Sequence, residues 1–229
     1  MCGPLARWTA AGISGYVLLY YYRRDFLRYA IAVAVWLSAF ATYLRLVFGQ
    51  FLPDYYREGS FLSLMRFRTA LPAILFSPAR GLFVFVPSTL IVVYLVIRYW
   101  RALPHRRLAV LAAAIIVGNV LVVATWIVWW GGRGYGPRLL TDVVPSFVIL
   151  AVLGLRALSN ARDRAPGRLE SRIVLAVAVT LVAVSIAING WGAVSLRTVW
   201  WMDWHNFDLH PGAMWDWRSP LFLAGLTGR

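Results

Sequence analysis

Residues 108–130 read LAVLAAAIIVGNVLVVATWIVWW, 23 positions without one charged side chain. A helix needs about 20 mainly apolar residues to cross a hydrocarbon core of roughly 30 Å, so this stretch reads as a membrane span. Residues 173–196, IVLAVAVTLVAVSIAINGWGAVSL, form a second such run of 24. Working outward, residues 26–48 carry Arg28 and Arg45 near their ends, where long side chains reach the polar layer. Residues 82–99 are shorter and contain Pro87, and residues 139–158 hold Asp142 and Pro145 close to their start. Residues 8–22 are too short to cross unaided; they end in Leu-Tyr-Tyr-Tyr-Arg-Arg rather than small residues suited to cleavage, so they read as the tail of a helix and not as a signal peptide. The expectation is one transmembrane domain over residues 1–229. It is an all-α, polytopic membrane helix bundle of about five transmembrane helices and a short N-terminal helix, with an interfacial helix and loops on the outer face.

Composition agrees. Hydrophobic residues make up 61% and charged residues 14% of the 229, against roughly 45–50% and about 25% in ordinary globular domains. All 23 basic residues are arginine, which excludes a lysine nucleophile, a Schiff base and a P-loop lysine. With 12 Trp, 11 Tyr and 12 Phe the chain is not intrinsically disordered, and Cys2 alone cannot make a disulfide framework. The net charge of +14 would suit nucleic acid in a soluble chain. The arginines instead sit in short clusters between apolar runs, so no nucleic acid partner is expected and the lipid bilayer is.

Arginine counts orient the spans. Twelve arginines fall in three compact connections: Arg23, Arg24 and Arg28; Arg98, Arg101, Arg106 and Arg107; Arg156, Arg162, Arg164, Arg168 and Arg172. Nine fall in residues 49–81, 131–138 and the tail after 196. Compact basic loops belong in the cytoplasm, which puts the long loop, the glycine-rich loop and the C-terminus outside. The outer segments are aromatic, with Trp200, Trp201, Trp204, Trp215 and Trp217 in the tail. They should pack on the membrane surface or on each other, and chemistry belongs with them.

Three outer segments carry candidate chemistry. The run Trp129-Trp130-Gly131-Gly132-Arg133-Gly134-Tyr135-Gly136-Pro137-Arg138 places four glycines in six residues, and Pro137 presets the next helix. With Arg133 and Arg138 at one spot, this reads as an anion site for phosphate or pyrophosphate. The alternative is a tight interhelical turn with an Arg138–Asp142 pair at i,i+4. In Ser77-Pro78-Ala79-Arg80-Gly81, Arg80 would lie at the outer boundary beside that loop, either as part of the site or as a snorkelling arginine. Upstream, residues 61–75 carry Arg66 and Arg68 on what reads as an interfacial amphipathic helix. In the tail, Asp203, His205, Asp208 and His210 are metal-competent types, but their spacing matches no standard site and no metal is assigned. Asn119 and Asn189, the amides of the two cleanest spans, read as interhelical hydrogen bonds. No span carries the charge chain of a proton relay.

The runs Phe-Ser-Pro-Ala-Arg-Gly-Leu-Phe-Val-Phe-Val-Pro at 76–87 and Trp-Trp-Gly-Gly-Arg-Gly-Tyr-Gly-Pro-Arg-Leu-Leu-Thr-Asp at 129–142, with the ending Met-Trp-Asp-Trp-Arg-Ser-Pro-Leu-Phe-Leu at 214–223, resemble multi-spanning bacterial membrane proteins related to the GT-C glycosyltransferases. The resemblance covers residues 26–229. It implies a transferase that moves a sugar from a polyprenyl-phosphate-linked donor on the outer face of the bacterial plasma membrane, without a required metal or other cofactor. Outer arginines bind the lipid phosphate in that family, which matches Arg80, Arg133 and Arg138 here, then Arg66 and Arg68, with Tyr135 shaping the site. The family's catalytic Asp or Glu sits in a first outer loop, whereas this chain begins at what resembles a later helix. Asp54 and Glu58 are outer acids in a later, donor-side segment, so no catalytic residue is assigned. The expectation is therefore a C-terminal portion of a longer protein, inactive alone, with a separate N-terminal catalytic chain as partner. The competing readings are a non-catalytic membrane subunit or lipid-linked-sugar binding scaffold, and a transporter, which would need inverted repeats and broken midplane helices.

Overall fold

The structure, a computed structural model, describes residues 15–17, 19–20, 23, 25–51, 64–126, 128–164, 168–205, 207 and 210–226. The expected short helix at 8–22 lies largely outside these residues, as do Asp54, Glu58 and Asp208. Among the described residues the fold is all-α. The principal helices are α1 Phe26–Phe48, α2 Leu64–Phe76, α3 Leu82–Phe85, α4 Ser88–Arg98, α5 Arg106–Thr125, α6 Val144–Arg164, α7 Arg168–Val194 and α8 Leu196–Trp204. Short 3-10 turns at Trp100–Ala102, Arg138–Val143, Pro211–Trp215 and Leu221–Leu223 join and follow them.

Four helices are long and apolar enough to cross a membrane: Phe26–Phe48, Arg106–Thr125, Arg138–Asn160 and Arg172–Val194. The chain is a multi-pass membrane protein. Burial within the chain covers only 6% of the α1 window and 11% of the Arg172–Val194 window, so their apolar side chains are left for lipid. The span expected at 82–99 is not one helix. It is split into four residues and 11 residues, the latter about 16 Å long and too short to cross alone. The cause is Pro87, which has no N–H to continue the α3 ladder, and Val86 before it turns to φ −130°, ψ 64°.

Small residues set the closest packing. α5 and α6 run antiparallel, with Ala109 and Ala112 clustered against Leu150, Leu153 and Ala157. A Cβ at Gly154 would come within 2.9 Å of Leu95 Cβ, so glycine lets α4 and α6 approach. At one end of this layer Arg98 Nη2 lies 3.2 Å from Glu170 Oε1, tying α4 to the start of α7. At the opposite end a second cluster joins Ala70 and Ile74 of α2 with Val120, Val123 and Ala124 of α5 and with Leu140 and Val143 after the glycine-rich loop. A third gathers Phe85, Trp201, Met202, Phe207, Met214 and Leu221, so the aromatic tail folds back over α3.

The two span amides part company. Asn189 Nδ2 donates to Phe85 O at 2.8 Å, which is the expected interhelical bond. Asn119 Oδ1, in contrast, is buried without a hydrogen-bond partner.

Candidate functional site: an arginine crevice under the glycine-rich loop

The turn after α2 is built to aim Arg80. Ser77, Pro78 and Ala79 are buried, Gly81 N–H donates to Ser77 O at 2.8 Å, and Arg80 N–H donates to Ser77 Oγ at 3.0 Å. Gly81 cannot be replaced freely, since a Cβ there would meet Ser77 O at 2.6 Å. The Arg80 side chain is then only 2% exposed, and its guanidinium reaches across to the loop after α5. Nε donates to Trp130 O at 2.7 Å, Nη2 to Gly132 O at 2.8 Å and Nη1 to Ala79 O at 3.2 Å. The Phe207 ring covers it at 5.2 Å. Burial, and after it the neighbouring Arg138 guanidinium, pull the Arg80 pKa down to about 10, which leaves it charged at neutral pH. Three carbonyl dipoles hold that charge away from bulk water.

The loop itself is shaped by glycine. Gly131, Gly132 and Gly136 have φ of 76°, 62° and 58°, values that side-chain-bearing residues rarely adopt. Gly134 lies directly beneath the aliphatic part of Arg138, and a Cβ there would sit 2.3 Å from Arg138 Cδ. None of the N–H groups of residues 132–136 donates to a backbone carbonyl among the described residues, while Gly131 N–H and Arg138 N–H do. Beside the loop lies a narrow crevice with a volume of about 10 Å³, lined by Arg80, Arg138, Trp129, Trp130, Ile74 and Leu140 among others. Among the described residues its lining includes no carboxylate.

The six arginine and tyrosine candidates separate. Arg80 and Arg138 share the crevice. Arg138 is exposed, and among the described residues its guanidinium makes no hydrogen bond or ion pair, so the Arg138–Asp142 pair does not form. Arg133 turns the other way, 82% exposed and 3.2 Å from Asp203 Oδ1 on α8. Tyr135 is structural in its contacts: its hydroxyl donates to Ile188 O at 2.9 Å and its ring meets Phe85 edge-on. Burial pushes its pKa from 10.0 up to about 12. Arg66 and Arg68 sit on α2 and line no part of the crevice, though Arg66 Nη1 is buried without a partner.

In the tail, His205 Nδ1 lies 2.9 Å from Trp201 O and its ring stacks on Trp201, while Asp203 is engaged by Arg133. Among the described residues no three His, Cys, Asp or Glu side chains come together. Sequence reasoning missed Phe207 and the carbonyls of Trp130 and Gly132. Backbone acceptors leave no trace in residue types, and Phe207 lies 127 positions from Arg80.

Comparison with protein-family models, with curated proteins and with solved structures gives no match in any of the three.

Proposed function

We propose that the chain is a membrane glycosyltransferase-like protein of GT-C type, acting on a polyprenyl-phosphate-linked sugar at the outer face of the bacterial plasma membrane. The observation that carries this reading is the arginine pair. Arg138 has no counter-ion among the described residues, and it stands with a buried Arg80 at one crevice where apolar helices end in a glycine-rich loop. Phosphate oxygens are the natural complement of such a pair. A lipid phosphate arrives at this depth with its chain already in the bilayer. As the glycosidic bond breaks, negative charge grows on the departing phosphate, and the exposed Arg138 guanidinium, with the buried Arg80 beside it, stabilises that charge. Among the described residues no carboxylate lines the crevice, and in the family resembled the acid or base lies in a first outer loop, which this reading places on a separate chain.

Arg138→Ala should abolish binding of a long-chain polyprenyl monophosphate in nanodiscs, by at least tenfold, with membrane insertion unchanged. Equal binding by that variant would overturn the reading. Sugar transfer is then to be assayed with the chain alone and with the product of its neighbouring upstream reading frame.

The second reading, a lipid-linked-sugar binding scaffold or transporter, is favoured by the discontinuous segment α3–α4, since broken helices line substrate paths in many transporters. Counterflow of a lipid-linked sugar in proteoliposomes, without transfer, would select it.

A further inference from the structure

The two crevice arginines differ in one respect that bears on their roles. Arg80 commits the Nε–Nη2 edge of its guanidinium to two carbonyls of the loop, Trp130 O at 2.7 Å and Gly132 O at 2.8 Å. The Arg138 guanidinium commits nothing among the described residues, and its side chain lies on Gly134. In a trans peptide the carbonyl and the following N–H point in opposite directions. Holding Gly132 C=O toward Arg80 therefore turns Arg133 N–H away from it, and with Gly131 and Gly132 both at positive φ the course of the loop up to Gly134 is set.

We propose that Arg80 is the positioning residue of this site and Arg138 its anion contact: the Arg80 fork holds the loop on which the Arg138 side chain rests, and the phosphate meets Arg138. This rests on the anion-site reading above. It separates two residues that spacing alone makes equivalent, and it gives the Ser-Pro-Ala-Arg-Gly turn a task, that of delivering a fork to carbonyls about 50 residues away. A lysine keeps the charge but loses the rigid two-pronged geometry.

The test is a double-mutant cycle with a long-chain polyprenyl monophosphate in nanodiscs. Arg80→Lys and Arg138→Gln should each weaken binding at least tenfold. The double variant should bind within threefold of the weaker single, because both changes remove one contact. Losses that multiply to about a hundredfold would make Arg80 a direct ligand, and Arg80→Lys binding within threefold of wild type would show that the fork is not needed; either overturns the proposal.

A ligand-free arm keeps the two readings apart. Amide hydrogen exchange at Gly131 and Leu140, whose N–H groups are hydrogen-bonded at the two ends of the loop, should quicken at least tenfold in Arg80→Lys and stay at the wild-type rate in Arg138→Gln. Unchanged exchange in Arg80→Lys refutes the positioning role even if phosphate binds. Quickened exchange in a protein that binds no polyprenyl phosphate refutes the anion-site reading alone. Should Arg80→Lys fail to fold, Gly134→Ala, which displaces Arg138 with Arg80 intact, must reproduce the Arg138→Gln loss of binding, and failure to do so counts against the proposal.

Discussion

Gly136 and Gly132 both sit at positive φ in one loop, yet they should respond differently to the same methyl group. A Cβ on Gly136 would lie 2.8 Å from Phe85 Cδ1, a ring with no exposed surface, whereas nothing lies within 4 Å of a Cβ on Gly132. Gly132→Ala should therefore cost only the left-handed backbone strain, about 1–2 kcal/mol. Gly136→Ala adds an overpacking penalty of about 1–3 kcal/mol. Thermal unfolding in detergent checks this, and equal losses would mean that Phe85 yields to the methyl. At the same scale, Arg80 and Arg138 read alike in sequence because each is an arginine beside small residues at a helix boundary. What distinguishes them is whether a carbonyl lies within reach.

Among the elements, the α3–α4 break is the one whose behaviour depends most on a neighbour. The helix break at Pro87 leaves Phe85 C=O and Ser88 N–H without their usual ladder partners, Thr89 N–H and Val84 C=O, and α7 supplies replacements. Asn189 Nδ2 donates to Phe85 O at 2.8 Å, and Ser88 N–H donates to Ser185 Oγ at 3.0 Å. Asn189→Leu should destabilise the protein by about 0.6–1.7 kcal/mol, the range for hydrogen bonds between membrane helices. If unfolding in detergent shows no loss for Asn189→Leu, water or lipid takes the carbonyl equally well. Hydropathy alone makes 82–99 one span, since it measures apolar length and not ladder continuity. Pro87 was the visible warning, but prolines are also tolerated inside membrane helices when neighbours satisfy the freed groups. Here Ser185 and Asn189 do so, one turn apart on α7, without restoring the helix. The tail element α8 is amphipathic in a different sense: Thr198, Trp201 and Met202 are buried, while Leu196, Trp200 and Trp204 remain exposed on the other side. Aromatic content marked this segment as interfacial, but only packing decides which tryptophans enter the core.

At the level of the whole molecule, the ends of the bundle differ in chemistry. One carries the Arg98–Glu170 pair and the basic turn at 100–107; the other carries the glycine-rich loop, the crevice and the aromatic tail. Placing the second end outside, as arginine counting does, makes a direct prediction. In a Cys2→Ser background, which removes the sole native cysteine, Arg133→Cys should react with an impermeant maleimide on intact cells. Arg101→Cys should react only after permeabilisation. The reverse pattern would invert the orientation and move the crevice to the cytoplasmic side. Losing the exposed Arg133–Asp203 pair in this test should cost little, because surface ion pairs contribute about 0–1 kcal/mol.

By itself, the sequence determined what is local and additive along the chain: apolar length, charge placement and glycine content. Those properties are enough to make an all-α membrane protein, because a helix satisfies its own backbone and needs only about 20 apolar residues to be stable in lipid. They also brought Arg80, Arg138 and the loop to notice. Only tertiary structure decided that α7 supplies the partners at the Pro87 break, that Tyr135 and Arg133 are engaged elsewhere, and that, among the described residues, acceptors reach the Arg80 guanidinium and not that of Arg138. Each of these depends on polar partners brought close from tens of residues away, and for Arg80 and Tyr135 those partners are backbone carbonyls that every residue possesses and no residue type advertises.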